Sequence, residues 1–200
     1  MLQDDHKKSP GIFVFFGMIA TGKSTISQAW AWQEQLRCYN SDWVRKELAG
    51  VDPTSTHDDS IDRGIYIKEL SIKTYATLLE RAAARLRQGD SVVLDASYQY
   101  AKDRQDIRDL ASRLGCRVYF IFCQCPEEEM KRRMDLRSLD QAAVSDGRWE
   151  VYVQQKKRFE PPTELSDSEL IVLNTEGSAN DILAVLEEKM TKKREKNLNL

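Results

Sequence analysis

A glycine-rich segment that directly follows an apolar run constrains this chain more than any other feature. The apolar run covers residues 12–16, and the segment after it, residues 17–25, reads G-x-x-x-x-G-K-S-T. A strand that enters a glycine-rich turn and then opens a helix is the setting of the phosphate-binding P-loop. Glycines allow backbone N–H groups to point at phosphate oxygens, and the helix N-terminus adds partial positive charge. The sequence therefore predicts a nucleoside triphosphate site built on a strand, a turn and a helix.

Each polar position in this segment has a predicted role. Lys23 places an ammonium near the β- and γ-phosphates, and Ser24 offers a hydroxyl to Mg²⁺. ATP and Mg²⁺ are therefore the expected ligands. The residues predicted to form the phosphate cradle are Gly17, Ala20, Thr21, Gly22, Lys23, Ser24 and Thr25.

Composition and charge exclude several classes of protein. With 200 residues the chain has the length of one domain, expected over residues 1–190, with a basic, flexible tail at 191–200. A formal net charge of −2 gives no global basic field for nucleic acid, although a local basic groove stays open. The four cysteines and two histidines lack metal-site spacing. Without a signal peptide or an apolar stretch of about 18 residues, we expect a cytoplasmic protein that does not associate with a membrane.

Apolar segments alternate with helical segments along the chain. This alternation predicts an α/β P-loop NTPase fold, a three-layer α/β/α arrangement around a five-stranded parallel sheet. The predicted strands are about 11–16, 36–40, 91–95, 117–123 and 169–173. The predicted helices are about 23–35, 43–49 (with Ser41 or Asp42 as its N-cap), 64–88, 101–114, 126–139, 147–158 and 178–190. Ligands of such sheets bind beyond the carboxyl ends of the strands, so Gly17, Asp42 and Asp95 are expected in one crevice.

Asp95 closes an apolar strand, which suits a carboxylate that assists Mg²⁺ binding. A helix-capping role is the alternative. The next residue is Ala96, whereas many hydrolases place a water-activating glutamate there, and the chain has no guanine-reading Asn-Lys-x-Asp segment. A motor ATPase or a GTPase is therefore disfavoured.

Asp42 is the candidate general base, since it lies at the predicted end of the second strand. Arg45 follows three residues later, on the same face of a helix. A phosphotransferase needs a carboxylate to take the proton of the acceptor hydroxyl and a cation to hold the acceptor or the moving phosphoryl group. A capping aspartate beside an exposed arginine is the alternative.

Two arginines on a charged helix, Arg133 and Arg137, are spaced i, i+4 and can share one helical face. Two guanidiniums over a triphosphate would offset the charge that develops during transfer. A solvated charged helix is the alternative interpretation.

Taken together, residues 17–25, 40–50 and 92–97 and the Arg133-x-x-x-Arg137 pair resemble a known group. They are similar to predicted P-loop kinases of the adenylate-kinase-like superfamily, related to polynucleotide 5′-kinase, gluconate kinase and zeta toxins. The resemblance is strongest to bacterial predicted kinase domains, some of them fused to aminoglycoside-phosphotransferase-like domains. It covers about residues 11–178.

On the acceptor side, the resemblance implies that Asp42 is the general base and that Arg45 contacts the acceptor or the transferring phosphate. It also implies that Arg104 lines the acceptor site. The implied acceptor-binding residues are thus Asp42, Arg45 and Arg104.

On the nucleotide side, the resemblance implies that Arg133 and Arg137 belong to a helical lid at about 126–147 and close over ATP. Asp95 joins Ser24 at the metal, and Thr175 borders the adenine. The implied catalytic residues are Lys23, Asp42, Arg45 and Arg137.

The leading hypothesis is an ATP- and Mg²⁺-dependent phosphotransferase that acts on a hydroxyl of a small molecule. One alternative is a polynucleotide 5′-hydroxyl kinase. A second is an ATP-dependent switch or binding module with incidental hydrolysis. The sequence encodes no readable acceptor and no oligomeric state. The polynucleotide alternative would use Lys68, Lys73, Lys102, Arg104, Tyr98 and Tyr100.

Overall fold

The computed structural model of the chain describes residues 10–52, 65–139 and 149–196. These ranges contain five strands and seven helices in alternation. The strands are β1 (Gly11–Phe16), β2 (Arg37–Asn40), β3 (Val92–Asp95), β4 (Arg117–Gln124) and β5 (Leu170–Asn174). The helices are α1 (Lys23–Gln33), α2 (Ser41–Leu48), α3 (Ile65–Arg87), α4 (Ala101–Leu114), α5 (Glu127–Leu139), α6 (Trp149–Arg158) and α7 (Ala179–Lys196).

All five strands pair in parallel, in the order β2-β3-β1-β4-β5. Every residue of β1 and β3 is buried, which explains why these strands appear in the sequence as continuous apolar runs. The register pairs Phe15 with Asp95 and Asn40 with Asp95. The predicted α/β fold is confirmed, and the ends of β1, β2 and β3 meet at one edge of the sheet.

Alternate residues of the strands pack into two separate cores. On one face, Val14 and Leu94 pack with Leu78 of α3 and Ile107 of α4. On the other face, Phe13, Phe15 and Val93 pack with Trp30, Ile182 and Leu186 of α1 and α7. Truncating a buried aromatic side chain in such a core costs about 3–5 kcal/mol. The two cores hold the sheet rigidly, so the loops at its carboxyl edge have a fixed base.

The start of α2 differs from the prediction. The helix begins at Ser41, and its N-cap is Asn40, whose Oδ1 accepts hydrogen bonds from the N–H groups of Asp42 (2.9 Å) and Trp43 (3.1 Å). The expected caps, Ser41 and Asp42, were wrong because an asparagine side chain one residue earlier already satisfies both N–H groups. The carboxylate of Asp42 is therefore released from a capping role.

The basic tail also differs from the prediction. α7 continues to Lys196, because Met190 is buried and the residues beyond it find partners on the body of the protein. The Arg194 guanidinium lies 3.4 Å from the Glu34 carboxylate, and the Lys193 ammonium donates to the carbonyl oxygen of Asp167. The last helix therefore extends six residues beyond the predicted end at 190, and the flexibility of the tail stays a prediction.

Several predicted features lie outside the described residues. They are residues 1–9, residues 53–63 of the predicted loop after α2, residues 140–147 of the predicted lid, and residues 197–200. Within the described ranges, no helix has the length and apolar character that a membrane span requires.

Candidate active site

The turn between β1 and α1 has the backbone geometry that phosphate binding requires. Gly17 and Gly22 have φ values of 141° and 80°, and Ala20 has a φ of 59°. A Cβ at Gly17 would lie 2.5 Å from a carbonyl oxygen of β4, so only glycine fits there. The Thr21 hydroxyl donates to the carbonyl oxygen of Met18 at 2.8 Å, which fixes the turn from inside.

The N-terminus of α1 is open toward this turn. The helix begins at Lys23, and no side chain caps it. The first N–H groups of a helix have no partner within the helix, so those of residues 23–25 stay available to a phosphate. The first turn carries no acidic side chain. Lys23 Nζ makes one long contact, 3.4 Å to the carbonyl oxygen of Met18, so its ammonium stays beside the loop.

The end of β3 provides a site that fits Mg²⁺. Asp95 is fully buried, and its Oδ2 accepts from Asn40 Nδ2 at 2.6 Å. The same Nδ2 lies 3.5 Å from the Ser24 hydroxyl, whereas Asp95 Oδ1 is buried with no partner in the described part of the chain. Burial raises the pKa of Asp95, and the Lys23 charge, the nearby Ser24 hydroxyl and the hydrogen bond from Asn40 oppose this effect.

An unpaired buried carboxylate oxygen beside a hydroxyl suits a hard cation with oxygen ligands. The described residues hold no group of three or more His, Cys, Asp or Glu that could bind a metal. Mg²⁺ commonly takes most of its ligands from water and substrate phosphates, so a site with one hydroxyl and one carboxylate fits it. The predicted pair, Ser24 and Asp95, is brought together, and Asn40 joins it as a residue that the sequence analysis missed.

Asp42 and Arg45 lie on α2, directly beyond the end of β2. Asp42 is half-buried, and the Asn40 side chain links it to Asp95, because Asn40 accepts from the N–H of Asp42 at 2.9 Å and donates to the Asp95 carboxylate at 2.6 Å. Arg45 follows after one helical turn, and its buried Nε has no partner among the described residues. The structure thus gathers the P-loop, the pair predicted to bind Mg²⁺ and the predicted base at one edge of the sheet.

α5 brings Arg133 to the P-loop. Its guanidinium donates to Glu129 at 2.7 Å, to the carbonyl oxygen of Thr175 at 2.6 Å and to that of Ala20 at 3.4 Å. Hydrogen bonds from Arg132 and Arg133 lower the pKa of Glu129 to about 2. Arg137 follows on the same helix, with its side chain outside the described residues.

Comparison with known proteins identifies the family. The family model AAA_33, described as an AAA domain, matches residues 12–162. The chain belongs to this AAA-domain family. No curated protein matches it at a significant level.

Solved structures similar to this AAA-domain chain include several proteins described as kinases. A protein from Chloroflexus aurantiacus provisionally described as a kinase has a TM-score of 0.69 at 19% identity, covering 92% of this chain and 98% of that one. A gluconokinase from Sinorhizobium meliloti has a TM-score of 0.63 at 19% identity, with 96% of both chains covered. An APS kinase from Mycobacterium tuberculosis, solved with AMPPNP and APS, has a TM-score of 0.60 at 15% identity, covering 92% and 98%. At these identities the likeness shows a shared P-loop fold.

A cavity of about 300 Å³ opens beside the P-loop of this AAA-domain protein. Its walls are apolar at Ile26 and Ile182 and charged at Glu129, a mixture that suits a nucleoside. Thr175 reaches this wall, near the place predicted for the adenine. Its hydroxyl, however, donates to the carbonyl oxygen of Thr21 at 2.5 Å and is therefore committed to bracing the P-loop.

α6 supplies a P-loop contact that the sequence analysis missed. Gln155 Oε1 accepts a hydrogen bond from the N–H of Ile19 at 2.7 Å. Below this contact, Ala20 packs with Met130, Met134 and Tyr152 in a small apolar cluster. We call these α5 and α6 residues, with Arg133 and Gln155, the lid base. No spacing signal links residues 136 positions apart, so only the folded chain reveals this contact.

Arg104 does not line the crevice, which corrects its predicted acceptor role. The side chain is fully buried and pairs with Glu164 at 2.5 Å. It also donates to the carbonyl oxygens of Tyr98 (2.8 Å) and Glu160 (3.1 Å). One turn into α4, the side chain points into the protein, where it fixes the segment between β3 and α4 rather than a ligand.

Proposed function

We propose that this protein is an ATP- and Mg²⁺-dependent phosphotransferase that moves the γ-phosphoryl group to a hydroxyl of a small-molecule acceptor, with Asp42 as general base. The position of the Asp42 carboxylate is the observation that supports this proposal most directly. It lies at the edge of the sheet beside the P-loop and Asp95, half-buried and released from capping by Asn40. The residue after Asp95 is the buried Ala96, which has no group that could activate water.

The nucleotide half of the reaction uses the P-loop. Backbone N–H groups at the start of α1 and the Lys23 ammonium bind the phosphates, and Ser24 and Asp95 are the residues that would hold Mg²⁺. When bound, Mg²⁺ neutralises charge on the phosphate oxygens during transfer. Arg133 lies at the edge of the nucleotide cavity and supplies a further positive charge, and Arg137 is proposed to join it there.

The acceptor half uses Asp42. The carboxylate accepts the proton of the acceptor hydroxyl as the acceptor oxygen bonds to the γ-phosphorus. The bond between the γ-phosphorus and the bridging oxygen breaks, and ADP leaves with that oxygen and its electron pair. Arg45, one helical turn away, binds the acceptor.

Two observations favour a small-molecule acceptor over a polynucleotide. The similar structures are described as a gluconokinase, an APS kinase and a shikimate kinase. In addition, Tyr98 and Arg104, which the polynucleotide alternative needs at the surface, are almost fully buried. A buried tyrosine has no free ring face on which a base could stack.

Transfer from γ-labelled ATP with Mg²⁺ tests the proposal. The acceptors are sugars, sugar acids, nucleosides, aminoglycosides and 5′-hydroxyl oligonucleotides, and a Lys23→Met protein controls for contaminating kinases. Label in a small molecule supports the proposal, whereas label in the oligonucleotide supports the polynucleotide alternative. Label released only as free phosphate would favour the ATP-dependent switch or binding module over a kinase.

A further inference from the structure

Gln155 of α6 uses only one end of its side-chain amide within the described part of the chain. Its Oε1 accepts a hydrogen bond from the N–H of Ile19 at 2.7 Å, and the residue is half-buried. A backbone N–H only donates, so the oxygen of the amide faces Ile19 and Nε2 faces away from it. Nε2 carries two N–H donors, and neither has a partner among the described residues. Gln155 therefore presents a spare donor at the edge of the P-loop.

The peptide group between Met18 and Ile19 joins this amide to Lys23. Its carbonyl oxygen lies 3.4 Å from Lys23 Nζ, and its N–H binds Gln155. Because a P-loop lysine reaches the β- and γ-phosphates, the peptide that its ammonium contacts marks the γ-phosphate end of the cradle. Hydrogen bonds in a chain polarise one another, so the positive charge at the carbonyl oxygen makes the Ile19 N–H, and in turn Nε2, a stronger donor.

Covalent geometry limits where Nε2 can lie. The oxygen and nitrogen of a planar amide are about 2.2 Å apart, so Nε2 lies within about 5 Å of the Ile19 nitrogen. Ile19 is the third residue of the P-loop and directly precedes Ala20, whose φ of 59° belongs to the turn. A hydrogen bond of about 3 Å from Nε2 therefore reaches the space beside the γ-phosphate end of the loop.

α6 runs from the P-loop to the segment that follows β3. The Glu160 carboxylate accepts from the N–H of Ala101 at 2.7 Å, and the Glu160 N–H donates to the carbonyl oxygen of Gln99 at 2.9 Å. The cavity that suits a nucleoside is lined by residues of α1, α5, α7 and the loop after β5, and by no described residue of α6. Gln155 thus belongs to the phosphate end of the site rather than to the nucleoside end.

Packing on both sides of Gln155 holds α6 in place. About one turn earlier, the buried side chain of Tyr152 packs with Ala20 of the P-loop. About one turn later, the ring of Phe159 stacks on Phe122 with centroids 5.5 Å apart. A donor that is fixed before the ligand arrives needs no reorganisation when charge develops on the phosphate oxygens.

We propose that Nε2 of Gln155 donates a hydrogen bond to the γ-phosphoryl group of bound ATP, so that the amide distinguishes the triphosphate from the diphosphate. This contact rests on the proposed function, since it needs ATP at the P-loop, and it adds a donor from outside the P-loop and the lid arginines. Hydrogen bonds to charged phosphate oxygens are among the strong ones. A purely structural role would use only Oε1, which satisfies the N–H of Ile19 with any nucleotide or with none.

Gln155→Glu separates the two ends of the side chain. The glutamate keeps the length and an oxygen for the Ile19 N–H, but it replaces the Nε2 donors with a second, negatively charged oxygen. Calorimetry with Mg²⁺ measures the Kd for ADP and for AMPPNP, a non-hydrolysable ATP analogue. The variant should bind AMPPNP about 30-fold or more weakly and ADP at most about threefold more weakly, because the lost donor faces only the γ-phosphoryl group.

Two further variants control this measurement. Gln154→Glu makes the same change of charge at the exposed neighbouring position and should keep the wild-type ratio of the two Kd values. Gln155→Met removes both ends of the amide without adding charge, and it should lower the preference for AMPPNP over ADP at least about threefold.

The ratio of the two Kd values decides between a γ-phosphate contact and a purely structural role. If Gln155→Glu and Gln155→Met weaken AMPPNP and ADP equally, or leave both unchanged, Gln155 only holds the P-loop and the proposed contact is wrong. A selective loss of AMPPNP affinity supports the contact even if no acceptor is ever phosphorylated, in which case only the proposed transfer fails.

Discussion

The nucleotide half and the acceptor half of the crevice differ in how their polar groups are satisfied. Beside the P-loop, Arg133 donates to Glu129, Thr175 and Ala20, the Thr175 hydroxyl donates to Thr21, and Gln155 accepts from Ile19. Across the crevice, the Nε of Arg45 is buried with no partner among the described residues. In the nucleotide half, the protein itself supplies the hydrogen-bond partners of these groups. In the acceptor half, a bound ligand would have to supply them.

The largest effect is expected on the free energy of unfolding at Arg104, which fixes the segment between β3 and α4 beneath the acceptor half. Arg104→Met should destabilise the fold by about 3–5 kcal/mol, because it leaves Glu164 and two carbonyl oxygens without their buried cation. Urea unfolding measures this loss. A change below about 1 kcal/mol would show that the guanidinium does not hold the segment.

The next effect tests the nucleotide half through Gln155. Gln155→Met keeps the side-chain length but leaves the N–H of Ile19 without its acceptor, so KM for ATP should rise about tenfold. KM for the acceptor should change little. Gln154→Met, at the exposed neighbouring position, is the matched control. An equal rise in both KM values would break the division into two halves.

A pH effect follows from Glu129, the carboxylate partner of Arg133. Its pKa is lowered from 4.5 to about 2 by Arg132 and Arg133, so its ionised form favours the folded state. This contribution is complete above about pH 4.5 and is lost as the pH falls toward 2. Melting temperatures between these values should therefore fall less steeply for Glu129→Gln than for the wild type. Identical slopes would contradict the assignment.

The smallest effect concerns the end of α7, far from both halves. Arg194→Gln removes a partly exposed ion pair of 3.4 Å with Glu34, so it should change stability by about 0.5 kcal/mol or less. Neither KM should change. A large kinetic effect would mean that the crevice extends to this helix, and the comparison of two halves would need a third region.

The sequence predicted the frame of the site well, because that frame depends on local patterns. Buried strands appear as apolar runs, and Gly17 and Gly22 stand where the backbone has positive φ values. These patterns are enough to predict that the P-loop, Asp42 and Asp95 lie at one edge of the sheet.

The remaining parts depend on contacts between distant residues, which periodicity does not encode. Arg104 was expected in the acceptor site, yet its partner Glu164 is 60 positions away and draws it into the interior. The sequence predicts no role for Asn40, because an asparagine at a strand end has no motif of its own. Its two roles, capping α2 and binding Asp95, arise only when β2 and β3 pair.

The most direct test of the account is single-turnover phosphoryl transfer by Asp42→Asn, measured together with its affinity for ATP. Asp109→Asn, on the exposed face of α4, is the matched control. The account predicts that transfer to the acceptor falls at least about 10²-fold while the Kd for ATP stays within about threefold of the wild type. Transfer at the wild-type rate by the Asp42→Asn protein would contradict the central claim.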